Sequence, residues 1–230
     1  MMLKIQNLIE SLRIKIFFPA IECPCKKERF GSSYGGWDVA VGHITNASIV
    51  YSFGIGTDAS FDTELIKHYN VTVHAFDPTP KSIEWVKKQN FPQIFILHEY
   101  GLADFDGDIP FNPPENPEHV SYTILDRQET TDSAITVPVK KMKTIMEELG
   151  HDTIDLLKMD IEGAEYQVID DLVASQICPT QILVEFHHRF PNVGLQKTKN
   201  AMQTLKRMGY CLFSVSPSKE EFCFIFQHRK

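Results

Sequence analysis

Three carboxylates follow one apolar segment of the chain at close spacing. Residues 155–159 (DLLKM) have the pattern of a short buried strand, and residues 164–172 carry apolar residues at helical spacing. Asp160, Glu162 and Glu165 therefore lie where the predicted strand passes into the predicted helix. In open α/β sheets, ligands bind at that edge, outside the carboxyl ends of the strands. The alternative is that Glu162 and Glu165 only favour a helix N-terminus, where a negative charge is stabilised by about 0.3–1 kcal/mol.

Two histidines follow another apolar segment. His187 and His188 come directly after residues 181–186 (QILVEF), which the pattern predicts as a strand. Imidazole titrates near neutrality and is the better proton acceptor there. Because consecutive side chains of a strand point to opposite faces, one histidine is expected to face the site, and we favour His187, which shares a face with Glu185. Alternatively, each histidine is an ordinary polar residue at a strand end.

Asp160, Glu162 and His187 are therefore the predicted catalytic group. A positioned base that removes a proton from an acceptor oxygen typically adds about 10²–10⁴-fold to a rate. The same three side chains could instead hold Mg²⁺, which keeps several waters and needs few protein ligands. The sequence does not distinguish these alternatives, and we favour the base without a metal.

A glycine-containing loop follows the first predicted strand. Gly54 and Gly56 permit a tight turn and close approach of the backbone to a ligand, and Asp77 follows at about the spacing of a residue that binds ribose hydroxyls. Ala59 occupies the third glycine position of the dinucleotide motif, a substitution that this motif tolerates. Asp58 places a negative charge where a pyrophosphate would need backbone N–H groups, so the loop suits a cofactor with a sulfonium and an ammonium, namely S-adenosylmethionine.

The predicted cofactor site follows from this interpretation. The residues expected to face the cofactor are Ser52, Phe53, Gly54, Gly56 and Asp58 in the first loop, Asp77 at the ribose, Gly101, Leu102 and Asp104 at the adenine, and Asp160.

Strand and helix patterns alternate through most of the chain, which predicts an α/β fold with a mostly parallel sheet. Seven strands are predicted at residues 49–53, 72–76, 93–97, 155–159, 181–186, 210–215 and 221–227, and helices at residues 61–68, 81–89, 141–149, 164–172 and 197–208. The last two strands are joined by a tight polar turn and form a hairpin, so the terminal strand runs antiparallel to its neighbour. This arrangement suits a Rossmann-like class I methyltransferase, whereas dinucleotide-binding sheets usually continue in parallel.

The predicted organisation is one domain with an N-terminal appendage. Residues 1–45 comprise an amphipathic helix and a loop rich in glycine and aromatic residues, and residues 46–230 form the methyltransferase domain. Residues 105–136 are a polar insertion, expected to be a long loop that shapes the acceptor side. The N-terminal helix is too charged to span a bilayer, so no transmembrane segment is expected, and this helix could form a homodimer.

Composition restricts the partners. The net charge of −7 argues against binding to nucleic acid, and a small-molecule or glycan acceptor is expected. The five cysteines form no disulfide framework, and Cys23 and Cys25 are interpreted as ordinary thiols, which predicts a reducing, cytoplasmic location.

Four segments resemble the FkbM family of S-adenosylmethionine-dependent methyltransferases. They are VYSFGIGTDASFD (residues 50–62), VHAFDPTP (residues 73–80), IDLLKMDIEGAEYQVI (residues 154–169) and ILVEFHHRF (residues 182–190). The first departs from the commoner family form, Asp-Val-Gly-Ala-Asn. The resemblance implies O-methylation, often of sugars or glycosylated natural products.

Two other classes of function remain open at this stage. A nicotinamide-dependent oxidoreductase would share the first strand, the glycines and the ribose carboxylate, but Asp58 and the terminal hairpin count against it. A non-catalytic binding module would keep the fold alone.

Overall fold

The computed structural model describes residues 17, 19–113, 122, 134–190 and 193–227. The amphipathic helix predicted over residues 1–20, and a homodimer through it, depend on residues that lie largely outside this range. The same holds for residues 114–121 and 123–133 of the predicted insertion.

A seven-stranded sheet forms the centre of the molecule. Its strands are β3 (Ile49–Phe53), β4 (Thr72–Phe76), β5 (Phe95–His98), β9 (Leu156–Met159), β10 (Gln181–Glu185), β11 (Tyr210–Val215) and β12 (Glu221–Phe226). Their order in the sheet is β11-β12-β10-β9-β3-β4-β5. Strands β3, β4, β5, β9 and β10 pair in parallel, and β12 pairs antiparallel with both β10 and β11. The predicted α/β class, the mainly parallel sheet and the reversed terminal strand are therefore confirmed.

Five described helices surround this sheet. They are α1 (Ser60–Tyr69), α2 (Pro80–Lys87), α3 (Met142–Leu149), α4 (Glu165–Ala174) and α5 (Leu195–Met208). Asn70, Gly150 and Gly209 end α1, α3 and α5 in the left-handed conformation, which satisfies terminal carbonyl groups.

The central strands are apolar because both faces of the sheet are covered. Tyr51 and Phe53 of β3 point into one core, with residues of α3, α4 and α5, whereas Val50 points into the other, with residues of α1. Because both faces of the sheet are covered, a ligand can approach it at the carboxyl ends of the strands.

The N-terminal loop contains regular structure that the sequence did not predict. Strands β1 (Lys27–Phe30) and β2 (Trp37–Ala40) form an antiparallel pair. The Gln181 side chain accepts a hydrogen bond from the Ala40 N–H at 2.8 Å and donates one to the Ala40 carbonyl at 3.1 Å. This pair is therefore attached to the first residue of β10.

The interpretation of residues 105–136 as a long loop is also corrected. Strands β6 (Gly101–Leu102), β7 (Gly107–Phe111) and β8 (Ile135–Lys140) form a second sheet in the order β6-β8-β7. The pairing of β7 with β8 therefore brings the two ends of the insertion close together.

The interpretation of Cys23 as an ordinary thiol is wrong, because Cys23 and Cys211 form a disulfide across a sequence separation of 188. The two half-cystines are remote in sequence, so their spacing carried no signal. Cys25, Cys178 and Cys223 are free cysteines. Among the described residues, no helix has the length and apolar character that crossing a membrane requires.

Candidate functional site

A cavity of about 240 Å³ lies at the carboxyl ends of the central strands. The strand order changes direction between β3 and β9, and the cavity lies at this switch point, as expected for open α/β sheets. Nine of the residues predicted for the site line it: Phe53, Gly54, Gly56, Asp58, Asp77, Gly101, Leu102, Asp160 and Glu162.

The loop after β3 approaches the backbone at the end of β9 very closely. Gly54 has φ +79°, and a Cβ atom at this position would lie 1.9 Å from the Asp160 carbonyl oxygen. Lys158, which is 6% exposed, donates hydrogen bonds to the carbonyl groups of Phe53 at 3.1 Å and Gly54 at 2.5 Å. Only glycine fits at position 54, and the buried lysine holds the loop from below.

Asp77 holds the glycine loop through both of its carboxylate oxygens. Oδ2 accepts from the N–H groups of Ile55 at 3.0 Å and Gly56 at 2.9 Å, and Oδ1 accepts from the N–H of Thr79 at 2.9 Å and its hydroxyl at 2.6 Å. A carboxylate has about four acceptor positions, and these four bonds use them. Asp77 lies where a ribose would bind, yet its hydrogen bonds shape the loop.

Asp58 is also engaged within the protein. Oδ1 accepts from the N–H of Ser60, the first residue of α1, at 2.9 Å, and Oδ2 accepts from the Ser32 hydroxyl at 2.6 Å. Burial opposes the charged form, but the hydrogen bonds from Ser32 and Ser60 lower the pKa of Asp58. Its negative charge therefore persists at the cavity.

The remaining predicted cofactor residues divide into two groups. Leu102 and Gly101 line the cavity beside stacked Phe53 and Phe76, whose ring centroids are 4.2 Å apart. Ser52 and Asp104 do not line it, contrary to the prediction. Strand alternation turns the Ser52 side chain into the protein, where it is 0% exposed, and Asp104 lies exposed beyond the end of β6.

The turn after β9 has an unusual backbone. Glu162 has φ +52° and Gly163 has φ +107°. A left-handed glutamate is uncommon and persists where surrounding contacts enforce it. Glu165 supplies such a contact, because it is 0% exposed and its Oε2 accepts from the Gly163 N–H at 2.8 Å.

Glu165 also holds the end of β10. Its Oε1 accepts from the His187 N–H at 2.9 Å and lies 3.3 Å from His187 Nδ1. Glu165, which is buried, thus links the turn after β9 to the end of β10, the two segments that carry the candidate catalytic residues.

His187 lies beneath the cavity, surrounded by carboxylates. Its Nε2 lies 3.4 Å from Glu162 Oε2, 3.8 Å from Asp160 Oδ1 and 3.9 Å from Glu185 Oε1, and its side chain is 7% exposed. Burial would lower the pKa of His187, but the hydrogen bond to Glu165 and the charges of the surrounding carboxylates outweigh it and raise the pKa. The structure brings His187 together with Asp160 and Glu162, as predicted, although it is not among the residues that line the cavity.

His188 points to the other side of the chain. It is 1% exposed, and its Nδ1 lies 3.3 Å from the Thr198 hydroxyl on α5. His187, which was predicted to face the site, is therefore the histidine that lies beside the carboxylates, and His188 is not.

Two residues outside the predicted group complete the acidic side of the cavity. Glu185, the last residue of β10, lines the cavity, and burial followed by the charge of Asp160 raises its pKa. Tyr34 is 88% exposed at the cavity mouth. Partial desolvation at the cavity, followed by the charges of Asp160, Glu185 and Glu162, raises the pKa of Tyr34. Glu185 could have been predicted as a site residue because it is a glutamate at the end of an apolar strand.

The strand order, the reversed terminal strand and a cavity at the switch point define a Rossmann-like α/β protein of the methyltransferase type. The chain belongs to the family described as the methyltransferase FkbM domain, whose model matches residues 49–212.

Two curated relatives have names that describe methyltransferase-like proteins. The chain is 24% identical over 180 residues to the probable methyltransferase-like protein 24 of Rattus norvegicus, covering 77% of this chain and 41% of the relative. It is 25% identical over 144 residues to the human protein of the same name, covering 62% and 33%. The chain thus spans less than half the length of these relatives.

A solved structure shows the same fold. The methyltransferase FkbM of Methylobacillus flagellatus KT superimposes with a TM-score of 0.50 at 15% identity, covering 80% of this chain and 44% of that chain. The likeness supports the architecture described above.

The residues present fit S-adenosylmethionine. The glycine loop and the apolar side chains of Phe76 and Leu102 can accommodate a nucleoside, and the carboxylates of Asp58 and Asp160, which also line the cavity, suit a sulfonium and an ammonium. Asp77 fits less directly as a ribose ligand, because its acceptor positions are occupied by the protein.

Proposed function

We propose that this chain is an S-adenosylmethionine-dependent methyltransferase that acts on a hydroxyl group of a sugar, glycan or glycosylated small molecule. One observation carries the proposal: a single cavity runs from the glycine loop after β3 to the carboxylates after β9 and β10. A nucleoside cofactor and an acceptor would therefore meet within it.

The two ends of the cavity supply different contacts. S-adenosylmethionine, when bound, supplies a methyl group on a sulfonium, which is a good leaving group. The loop at Gly54 and Gly56 and the wall at Leu102 would position this cofactor, and Asp160 lies at the boundary with the acceptor. Alignment of the reacting groups can contribute about 7–11 kcal/mol.

The acceptor side contains proton acceptors. Asp160 and Glu162 line the cavity and His187 lies directly beneath them, with its Nε2 3.4 Å from Glu162 Oε2. In the proposed reaction, the hydroxyl proton passes to a carboxylate of this group, the oxygen forms a bond to the methyl carbon, and the carbon–sulfur bond breaks with its electron pair going to sulfur. His187 stabilises the charge of the carboxylates.

A polyhydroxylated acceptor is supported by the chemistry of the lining. The carboxylates of Asp160, Glu162 and Glu185 can accept hydrogen bonds from hydroxyl groups. The exposed Tyr34 and the buried Trp37 add aromatic surface to the lining of the cavity. Such a surface can cover the apolar face of a sugar ring.

The first test is isothermal titration of the protein with S-adenosylmethionine, S-adenosylhomocysteine and NAD. We expect the first two to bind and NAD not to bind. Thr57, which is exposed and lines the cavity, is the position for a blocking variant, Thr57→Trp. Lys67→Trp, at an exposed position of α1 outside the cavity, is the matched control.

Loss of cofactor binding in Thr57→Trp and retention in Lys67→Trp would support the proposed site. Transfer of a labelled methyl group to a panel of glycosides then tests the acceptor class. Binding of NAD alone would favour the oxidoreductase alternative. Binding of S-adenosylmethionine without transfer to any hydroxyl acceptor would favour a binding module.

A further inference from the structure

We propose that Asp160, Glu185 and His187 form a binding site for a divalent cation of the Mg²⁺ and Mn²⁺ class. The inference rests on the proposed function, because such a cation would act on the acceptor hydroxyl. One ligand atom from each of the three side chains lies within 4.8 Å of the other two. Asp160 and Glu185 line the cavity and His187 lies directly below, so a cation held there would face the acceptor.

The separations of these atoms match an octahedral ion. His187 Nε2 lies 3.8 Å from Asp160 Oδ1 and 3.9 Å from Glu185 Oε1. With bonds of about 2.1 Å, ligands of an octahedral ion are about 3.0 Å apart when adjacent and about 4.2 Å apart when opposite. The three side chains therefore need only small movements to share one ion, and the remaining positions stay open to water and an acceptor.

The buried histidine supplies a second, independent observation. Its Nδ1 lies 3.3 Å from Glu165 Oε1, so its Nε2 is the ring atom that faces Glu162, Asp160 and Glu185. The side chain is 7% exposed and is therefore held in this orientation by the protein around it. Metal-binding histidines characteristically donate the other ring N–H to a carboxylate, and Glu165 has that position.

The charge around His187 points to a cation of higher valence. Asp160, Glu162, Glu165 and Glu185 all place an oxygen within 3.9 Å of its ring nitrogens. The nearby Lys158 lies 4.0 Å from Asp160 Oδ2, but its hydrogen bonds go to backbone carbonyl groups. One imidazolium faces four carboxyl groups, and a divalent ion would favour the charged form of all of them.

The donor set narrows the choice of ion. Carboxylates and water are ligands that Mg²⁺, Ca²⁺ and Mn²⁺ prefer, whereas imidazole is a ligand that softer transition-metal ions prefer. A site with two carboxylates and one imidazole therefore suits Mg²⁺ or Mn²⁺. Acting as a Lewis acid, the ion would lower the pKa of the acceptor hydroxyl. The proton would then pass to Glu162, which lies beside the cluster, before the oxygen bonds to the methyl carbon and the carbon–sulfur bond breaks.

The test uses Mn²⁺ alone as the probe. The purified chain is treated with EDTA, dialysed and titrated with MnCl₂, and free Mn²⁺ is measured from its electron paramagnetic resonance signal. We expect one site in the parent protein and more than tenfold weaker binding in Glu185→Gln. Glu148→Gln, which alters an exposed glutamate on α3 paired with Lys140, is the matched control and should bind as the parent does.

A second variant guards against misfolding. His187→Asn removes the imidazole from the same cluster, and circular dichroism establishes whether each variant is folded. If His187→Asn unfolds, the comparison of Glu185→Gln with Glu148→Gln decides alone. No Mn²⁺ site in the parent, or equal binding in Glu185→Gln and Glu148→Gln, would overturn the proposal.

Titration with S-adenosylmethionine after EDTA treatment separates this proposal from the proposed function. Cofactor binding with no Mn²⁺ site would reject the metal and leave the methyltransferase intact. A Mn²⁺ site together with no cofactor binding would reject the methyltransferase instead.

Discussion

The two ends of the cavity use the same residue types for opposite purposes. At the cofactor end, Asp77 and Asp58 use their carboxylate oxygens to hold backbone and hydroxyl groups of the protein itself. At the acceptor end, Asp160 and Glu185 face one histidine at distances of 3.8 and 3.9 Å, too long for hydrogen bonds. A carboxylate with its acceptor positions filled shapes the site, whereas one that faces another charge is available to a ligand.

The largest effect on stability is expected where the two ends meet. Gly54→Ala would place Cβ 1.9 Å from the Asp160 carbonyl oxygen with φ at +79°. Strain and overlap together should lower the free energy of unfolding by about 3 kcal/mol or more, measured by urea denaturation.

Gly42→Ala is the control for backbone conformation. Gly42 has φ +89°, but a Cβ atom there meets nothing within 4 Å. Gly42→Ala should therefore lower the free energy of unfolding by only about 1 kcal/mol. Equal losses for the two variants would show that the close approach to Asp160 is unimportant.

The next effect is expected at Asp77. Asp77→Asn replaces one acceptor oxygen by an NH₂ group, which would face the N–H of Thr79 or those of Ile55 and Gly56. Loss of these charge-assisted bonds should lower the free energy of unfolding by about 2 kcal/mol and weaken binding of S-adenosylmethionine. Urea denaturation and calorimetric titration measure the two quantities, and an unchanged stability would contradict the structural role of Asp77.

A smaller effect should come from acidification, through a histidine below the cofactor end. Burial, followed by the charges of His98 and His151, lowers the pKa of His74 to about 4. Its ring also contacts Tyr51, and its Nδ1 lies 3.0 Å from His98 Nε2. Because the unfolded chain binds this proton more tightly, the stability from neutral His74 is complete above pH 6.5 and is lost as the pH falls toward 4.

Urea denaturation between pH 7.5 and 4.5 checks this pH dependence. His74→Gln should flatten the profile, and His68→Gln, at an exposed position of α1, should keep the parent's slope. A profile that is the same in both variants would assign the pH dependence to other groups.

The smallest effect on stability, with a large effect on activity, is expected at the acceptor end. Asp160→Asn removes one charge from a set of closely spaced carboxylates, and the Asp160 side chain is 32% exposed. The free energy of unfolding should change by no more than about 0.5 kcal/mol, while methyl transfer should fall about 10²-fold. A stability loss as large as that of Asp77→Asn would remove the distinction between the two ends.

The sequence predicted the local elements of the central sheet well. Strands β3, β4 and β11 have the predicted bounds, and the reversed direction of β12 followed from the tight turn before Glu221. These features depend on residue periodicity and on contacts between neighbours in the chain.

Features that depend on distant partners were missed. The β1–β2 pair lies in a segment rich in glycine and serine, and it is held by Gln181, far along the chain. The β7–β8 pair brackets the insertion in the same way. The position of Asp77 could be predicted from the sequence, but its role could not, because its hydrogen-bond donors include backbone N–H groups that meet it only after the loop has folded.

The disulfide between Cys23 and Cys211 has a consequence for the covalent connectivity of the oxidised chain. Every residue that lines the cavity, from Tyr34 to Glu185, lies between these cysteines in sequence. The site is therefore contained within a closed polymer ring, to which strand β12 is attached as an exocyclic arm. In the oxidised chain, the cavity residues stay in one covalent ring even when the protein unfolds.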